Sequence, residues 1–195
     1  MRLEQKPKVL RTERLVIRPF ELTDSAFIVH HFNEASFIRN IADKGIRDLK
    51  DAENYLLTGP MAMYREMGFG LGAICLIDSH VTNGLNLSNP IGTCGLIQRD
   101  NLPGPDIGYS LAEQYWGNGY ASEAVSAVIN DAFECLKLQQ ILAVVNPDNT
   151  RSIGLLERQQ FFHCGKVCLQ VDAPAIDLMK RETEIKHAVI RNQCF

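Results

Sequence analysis

The chain has 195 residues, of which 46% are hydrophobic and 22% charged, with a net charge of -3. That length and balance fit one globular domain with its own core, and residues 1–195 are read as a single domain. The total carries no basic excess of the kind a broad nucleic-acid-binding face shows, and no apolar stretch reaches the ~18 residues of a membrane span. Neither nucleic acid nor membrane is an expected partner.

Leu15 to Phe20 (LVIRPF) reads as a first strand, and Thr23 and Asp24 offer an N-cap for a helix through Phe32. Asp48 to Tyr64 has apolar residues at helical spacing broken by Gly59-Pro60. Two helices meeting there are expected, because proline removes a backbone donor and clashes with the preceding turn. Phe69 to Ile77 and Pro90 to Gln98 have strand composition, joined by a polar loop from Ser79 to Asn89 with an Asn-Gly turn signal. Asp106 to Leu111 (DIGYSL) follows as a further strand. From Tyr120 to Leu136 the residues Ala121, Ala124, Val125, Val128, Ala132 and Cys135 fall on one helical face. Gln140 to Val145 is then strand, Asn149 to Phe161 helix, Phe162 to Val171 strand, and Ile176 to Met179 opens a last strand. The order predicts an α/β fold with a mixed sheet. An exposed edge strand near the C-terminus could pair with a second copy, so a homodimer is a possible assembly.

The six cysteines are Cys75, Cys94, Cys135, Cys164, Cys168 and Cys194. The opening residues are charged and lack the apolar core of a secretory signal, and Cys75, Cys94 and Cys135 sit in apolar runs. A reduced chain in the cytoplasm with buried thiols is expected. Cys164, Cys168 and His163 invite a zinc site, but no second ligand pair follows at metal-site spacing, so none is assigned. His30 and His31, at a helix end, read as structural or solvated.

The segment Gln114-Tyr115-Trp116-Gly117-Asn118-Gly119-Tyr120-Ala121 lies between a strand and the start of the long helix. Two glycines let the backbone curl tightly, and the curl presents free N–H groups at the positive end of the helix dipole. Such a place binds phosphate or pyrophosphate. A P-loop would need a Gly-Lys-Ser/Thr ending, and a dinucleotide fold three spaced glycines in an early parallel unit. Neither is present, and the spacing alone stops at a phosphate-bearing ligand or an unliganded turn.

The pattern Gln114-x-x-Gly117-x-Gly119 resembles the coenzyme-A signature of the GNAT acyltransferases. The run Ile107 to Val125, the downstream Asn146-x-x-Asn149-x-x-Ser152-x-x-Leu155-Leu156-Glu157-Arg158 and the opening LRTERLVIRPF resemble the branch containing the Rim-type ribosomal-protein N-terminal acetyltransferases. The resemblance implies a mostly antiparallel mixed sheet splayed at its central strands and flanked by helices. It implies acetyl-CoA as co-substrate, with the pantetheine arm along Tyr109, Ser110 and Leu111, and the pyrophosphate on Gln114 and the backbone of Trp116, Gly117, Asn118, Gly119, Tyr120 and Ala121. Asn149 and Ser152 would face the far side of the arm. Gly108, mid-strand, fits a bulge or a close backbone approach.

The activity so implied is transfer of an acetyl group to a primary amine by direct attack, the acceptor being a protein N-terminus or a small molecule. Asp106 is the candidate base, with a turn residue as its other reading. Relatives often place a proton-donating tyrosine where this chain has Leu156, which leaves Ser152 as candidate acid. They also carry glycine where this chain has Gln160, so the helix end there is expected to be shifted or strained. A CoA-binding regulatory or scaffold protein and an unrelated nucleotide-binding module are the competing readings.

Overall fold

The computed structural model describes residues 8–77, 89–169 and 174–183. Strands β1 (Leu10–Arg11) and β2 (Leu15–Pro19) lead through a short 3-10 turn (Leu22–Asp24) into four helices: α1 (Ser25–Phe32), α2 (Ala35–Asn40), α3 (Leu49–Thr58) and α4 (Pro60–Met67). Strands β3 (Leu71–Leu76), β4 (Gly92–Ile97) and β5 (Asp106–Leu111) follow. A second 3-10 turn (Glu113–Tyr115) leads to α5 (Tyr120–Glu134), then β6 (Gln140–Val145), α6 (Thr150–Arg158), β7 (Phe162–Val167) and β8 (Ile176–Glu182). These form one eight-stranded sheet in the order β1-β2-β3-β4-β5-β6-β8-β7. The predicted loop from Ser79 to Asn89 lies outside the described residues except for Asn89 itself.

Each face of the sheet has its own core. On one face Ala124, Val125, Val128, Ile129 and Ala132 of α5 and Leu155 and Leu156 of α6 pack against Leu15, Ile74, Cys94, Ile107 and Ile141. On the other, Ile28 and Phe32 of α1, Phe37 of α2 and Ala52 and Leu56 of α3 pack on Phe20, Ala73 and Cys75. Helices α3 and α4 meet at Gly59-Pro60 as expected, with Pro60 in the first turn of α4, where its missing N–H costs nothing. Some features differ from the sequence reading. Asp24 stands at the start of α1, but its carboxylate accepts from both Arg18 nitrogens and from the Glu21 N–H instead of capping the helix. Cys135 is exposed, because α5 ends at Glu134 and the thiol turns out toward the Lys8 ammonium. The last strand does not form the edge: β8 inserts between β6 and β7, leaving β7 outermost, with Phe162 about half exposed.

The sheet opens at its centre. β4 and β5 pair over six register positions, from Gly92↔Leu111 to Ile97↔Asp106. β5 and β6 run parallel and register at a single position, Asp106↔Leu142. At this vertex the Leu142 N–H donates to the Pro105 carbonyl (2.9 Å). Beyond it the two strands diverge toward their C-terminal ends.

Candidate active site

The alternation of an antiparallel ladder decides which β5 groups face the split. The Ala112 N–H donates to the Ile91 carbonyl (2.9 Å), so residues 106, 108 and 110 turn their backbone groups to β4. The backbone groups of Ile107, Tyr109 and Leu111 turn toward β6, where only the vertex pairs. The Leu111 carbonyl accepts the Trp116 indole N–H (2.8 Å). Tyr109 and the Leu111 N–H thus lie where the sequence reading put a pantetheine arm, whereas Ser110 offers the split only its side chain. Gly108 forms no bulge, since β4 and β5 keep their register through it. A Cβ there would stand 2.7 Å from Ile97 Cδ1, the movable end of a side chain on the neighbouring strand.

At the mouth, Gly117 and Gly119 have φ of 80° and 79°, the left-handed region that a side chain strains to adopt. Gly119 is the N-cap of α5 and provides no side-chain cap. The Glu123 N–H is bonded to the Gly119 carbonyl, and the first-turn N–H groups of α5 before it point outward from the turn. The Asn118 amide donates to the Tyr115 and Trp116 carbonyls (3.2 and 3.1 Å), so the turn is fixed from within. Positive charge flanks it. Arg14 donates to the Asn118 carbonyl (3.0 Å) and lies over the Tyr120 ring, and Arg151 lies over Trp116. Glu123 holds Arg14 in place: its carboxylate accepts from Arg14 Nε (2.7 Å), the Arg14 N–H (3.0 Å) and the Thr12 hydroxyl (2.6 Å). Arg14 was not singled out from the sequence, since its partners are about a hundred residues away. Gln114 lies exposed in a depression of about 290 Å³ with Glu113, His30, Glu34 and Ala35.

Across the split, the Asn149 carboxamide oxygen caps α6 by accepting the Ser152 N–H (3.1 Å). The Ser152 hydroxyl lies 2.8 Å from the Tyr109 hydroxyl. Burial pushes the Tyr109 phenol up to about 12, with the Ser152 contact opposing. Leu156, where a tyrosine was the family expectation, is fully packed in the core. Tyr109 therefore supplies a phenol at the split from β5, a role its strand composition did not signal.

The opposite face of β5 is also polar. Asp106 is 1% exposed and accepts from Arg99 Nε (2.8 Å), while its second oxygen has no hydrogen-bond partner among the described residues. Burial raises its pKa, and Arg99 opposes this. Four residues on at Ser110, the hydroxyl meets His31 Nε2 at 2.8 Å and Thr93 Oγ1 at 3.0 Å. The two histidines of α1 thus differ: His30 is solvated, whereas His31 is 1% exposed. Helical spacing with Ile28 and Phe32 was the available sign that His31 faces inward. Cys164 and Cys168 are exposed, and His163 pairs with Asp177. Among the described residues no cluster of three or more His, Cys, Asp and Glu side chains is placed to hold a metal.

A sheet split at parallel strands, with an uncapped helix and left-handed glycines at its mouth, suits a phosphate-bearing ligand. Residues 14–161 match the family model of the acetyltransferase (GNAT) domain. The chain belongs to that family and is an acetyl-CoA-dependent N-acetyltransferase. It is 31% identical over 156 residues, 79% of this chain and 82% of the other, to the uncharacterized N-acetyltransferase p20 of Bacillus licheniformis. Among solved structures it superposes on an acetyltransferase from Agrobacterium tumefaciens with TM-score 0.73, 24% identity and 93% and 98% of the two chains covered. It also superposes on RimL, a ribosomal L7/L12 alpha-N-protein acetyltransferase in complex with coenzyme A, with TM-score 0.71, 13% identity and 90% and 98% covered. These likenesses bear out the splayed, mostly antiparallel fold.

Proposed function

We propose that this chain moves the acetyl group of acetyl-CoA directly to a primary amine, a protein N-terminal amine or a small-molecule amine, in the split between β5 and β6. The observation that carries the reading is the single-pair vertex at Asp106↔Leu142, beyond which the Tyr109 backbone groups and the Leu111 N–H face β6 without registering with it. In this reading the pyrophosphate rests on the N–H groups of Trp116 to Ala121, with Gln114 and Arg14 beside it, and Asn149 and Ser152 close the far side. Fixed N–H donors aimed at a developing oxyanion are worth a few kcal/mol, and holding both reactants together adds to that. No covalent enzyme intermediate is needed.

Ser152, with Tyr109 bonded to it, is assigned to protonate the departing thiolate. Asp106, paired with Arg99, is assigned to hold the vertex and charge of β5, a reading its burial favours over direct contact with the amine.

The test is calorimetric titration with acetyl-CoA, CoA, ATP and NAD on the wild type and on Gly117→Glu, followed by a screen of primary amines and free-N-terminus peptides. Acetyl-CoA binding at micromolar strength, lost in the variant, supports the reading. Absence of CoA binding, or binding of ATP or NAD in its place, overturns it. CoA binding without turnover on any amine would favour the regulatory alternative.

A further inference from the structure

β5 presents two successive side chains to opposite sides of the split, and the side facing α1 holds an arrangement to which the reading above gives no task. Ser110 Oγ lies 2.8 Å from His31 Nε2, and His31 Nδ1 lies 3.4 Å from the Glu34 carboxylate. The three groups form a line running from the split to the surface. Ser110 is partly exposed at one end. His31 is fully buried among Phe27, Phe32 and Phe37 in the middle. At the other end Glu34, 18% exposed, lines the depression it shares with His30, Glu113 and Gln114. The Thr93 hydroxyl, 3% exposed, fixes Ser110 from the neighbouring strand.

We infer that Ser110, His31 and Glu34 form a proton relay that drains the acceptor amine into the solvent on the α1 side of the molecule. The inference rests on the acetyl-transfer reading and deepens it by identifying the proton acceptor. As the C–N bond forms and the C–S bond breaks, the nitrogen gives its proton to Ser110 Oγ, directly or across one water. Ser110 passes its own proton to His31 Nε2, and the imidazolium is balanced by Glu34 through Nδ1–H. The C–S electron pair leaves on sulfur, which is protonated on the opposite face at the Tyr109–Ser152 pair. The imidazolium then loses a proton past Glu34 to solvent, exchange with solvent returns the ring to its Nδ1–H form, and solvent restores the proton of the Tyr109–Ser152 pair. Ser110 is the group that would meet the amine, and His31 and Glu34 act through it.

The surroundings suit the task. Burial holds the His31 pKa below its ordinary value, Glu34 opposes that by its charge and contact, and His30 adds to the lowering. Among the described residues these are the charged or titratable groups that act on it, beside the Ser110 and Thr93 hydroxyls. The imidazole is therefore neutral near pH 7 and able to accept. Nδ1 lies 3.4 Å from the Glu34 carboxylate and, among the described residues, has no hydrogen-bond partner; the relay assigns the proton of the neutral ring to Nδ1, which leaves Nε2 to accept from Ser110.

The experiment has two arms on the full chain. The first is a nitrogen-15 correlation spectrum of the histidine rings against pH, with His31 assigned by His31→Gln. The expected result is a neutral Nδ1–H tautomer whose Nε2 resonance moves in Ser110→Ala and whose titration moves to lower pH in Glu34→Gln, because the carboxylate that favours the cation is gone. An Nε2–H tautomer overturns the relay whether or not any amine turns over. The second arm is kcat/KM against pH for the amine found in the screen, corrected for the fraction of neutral amine. Ser110→Ala is expected to lose on the order of 100-fold and the acid limb with it, and Ser110→Thr to restore most of both. His31→Gln is expected to lower kcat while leaving the calorimetric affinity for acetyl-CoA unchanged. An acid limb unchanged in Ser110→Ala and His31→Gln overturns the relay. Loss of acetyl-CoA binding in the wild type overturns the transfer reading itself, which separates the two failures.

Discussion

Replacing Gln160 by glycine should stabilise the protein. Helix α6 ends at Arg158, and the Gln160 N–H donates to the Glu157 carbonyl (2.8 Å) while the Phe161 N–H donates to the Leu156 carbonyl (3.0 Å). These are the two bonds of a Schellman motif, completed by contact of buried Phe161 and Leu156 in one core cluster. The motif needs its second-last residue left-handed, and Gln160 has φ of 65°. The helix end is therefore unshifted, and the strain is confined to one exposed residue. A left-handed L-residue costs roughly 1–2 kcal/mol, and glycine gives back roughly 0.5–1 kcal/mol through the freer unfolded chain. The net gain is about 0.5–1 kcal/mol, or roughly 1–4 °C in Tm for a domain of this size. Urea unfolding followed by circular dichroism, with an unchanged slope, gives the free energy, and a thermal melt gives the shift. A lower midpoint, or none higher than wild type, would refute the strain argument and mean that the Gln160 side chain contributes more than its backbone costs.

Three further outcomes follow from the site. Tyr109→Phe should lower kcat for acetyl transfer by about tenfold or more with little change in affinity for acetyl-CoA, since it removes the phenol bonded to Ser152 and keeps the ring; steady-state kinetics beside calorimetry check it. Glu123 is raised by burial but lowered more by Thr12 and Arg14, so its folded pKa lies below its unfolded value. Its stabilising contribution is present above pH 4.5 and lost as pH falls through the folded pKa, and acid unfolding of Glu123→Gln should lack that step. Arg99→Leu strips the partner from buried Asp106 and should destabilise by about 3 kcal/mol near pH 7. Without Arg99 the burial that raises the Asp106 pKa is unopposed, so the loss should shrink as the pH falls, and equal losses at pH 7 and pH 5 in denaturant titrations would contradict this.

Much of the frame was legible because it is written in local signals. The period of α5, the Gly59-Pro60 break, the strand from Gln140 to Val145 and the glycines of the turn at 117 and 119 each follow from residues within one element. What was not legible depends on partners far apart. The split is a failure of β5 and β6 to pair beyond Asp106↔Leu142, and periodicity reads each strand alone. Gly108 reads as a bulge or a close backbone approach, and the structure shows no bulge there but the Ile97 side chain beside it. His31, at a helix end, reads as structural or solvated, since its partner Ser110 is distant in the chain, although a histidine on the apolar stripe of a helix needs a polar partner inside. The placing of β8 between β6 and β7 follows from no single segment.

The division of chemistry between the two sides of β5 follows from strand geometry. Successive side chains point to opposite faces, so Tyr109 meets α6 while Ser110 meets α1. In the proposed reaction one strand then offers a proton donor to one side of the split and a proton acceptor to the other, with its free backbone between them. This holds only in one register, because a slip of one residue against β4 would exchange the two faces. Glycines on the neighbouring strand pin that register. A Cβ on Gly95 would stand 2.0 Å from the Gly70 carbonyl oxygen, and one on Gly92 2.3 Å from that of Ser110. Side chains at either position would push β4 away from its neighbours, and the cost would fall on catalysis as well as on stability. The glycines that look structural in β4 are, on this argument, what keeps Tyr109 and Ser110 on their respective sides.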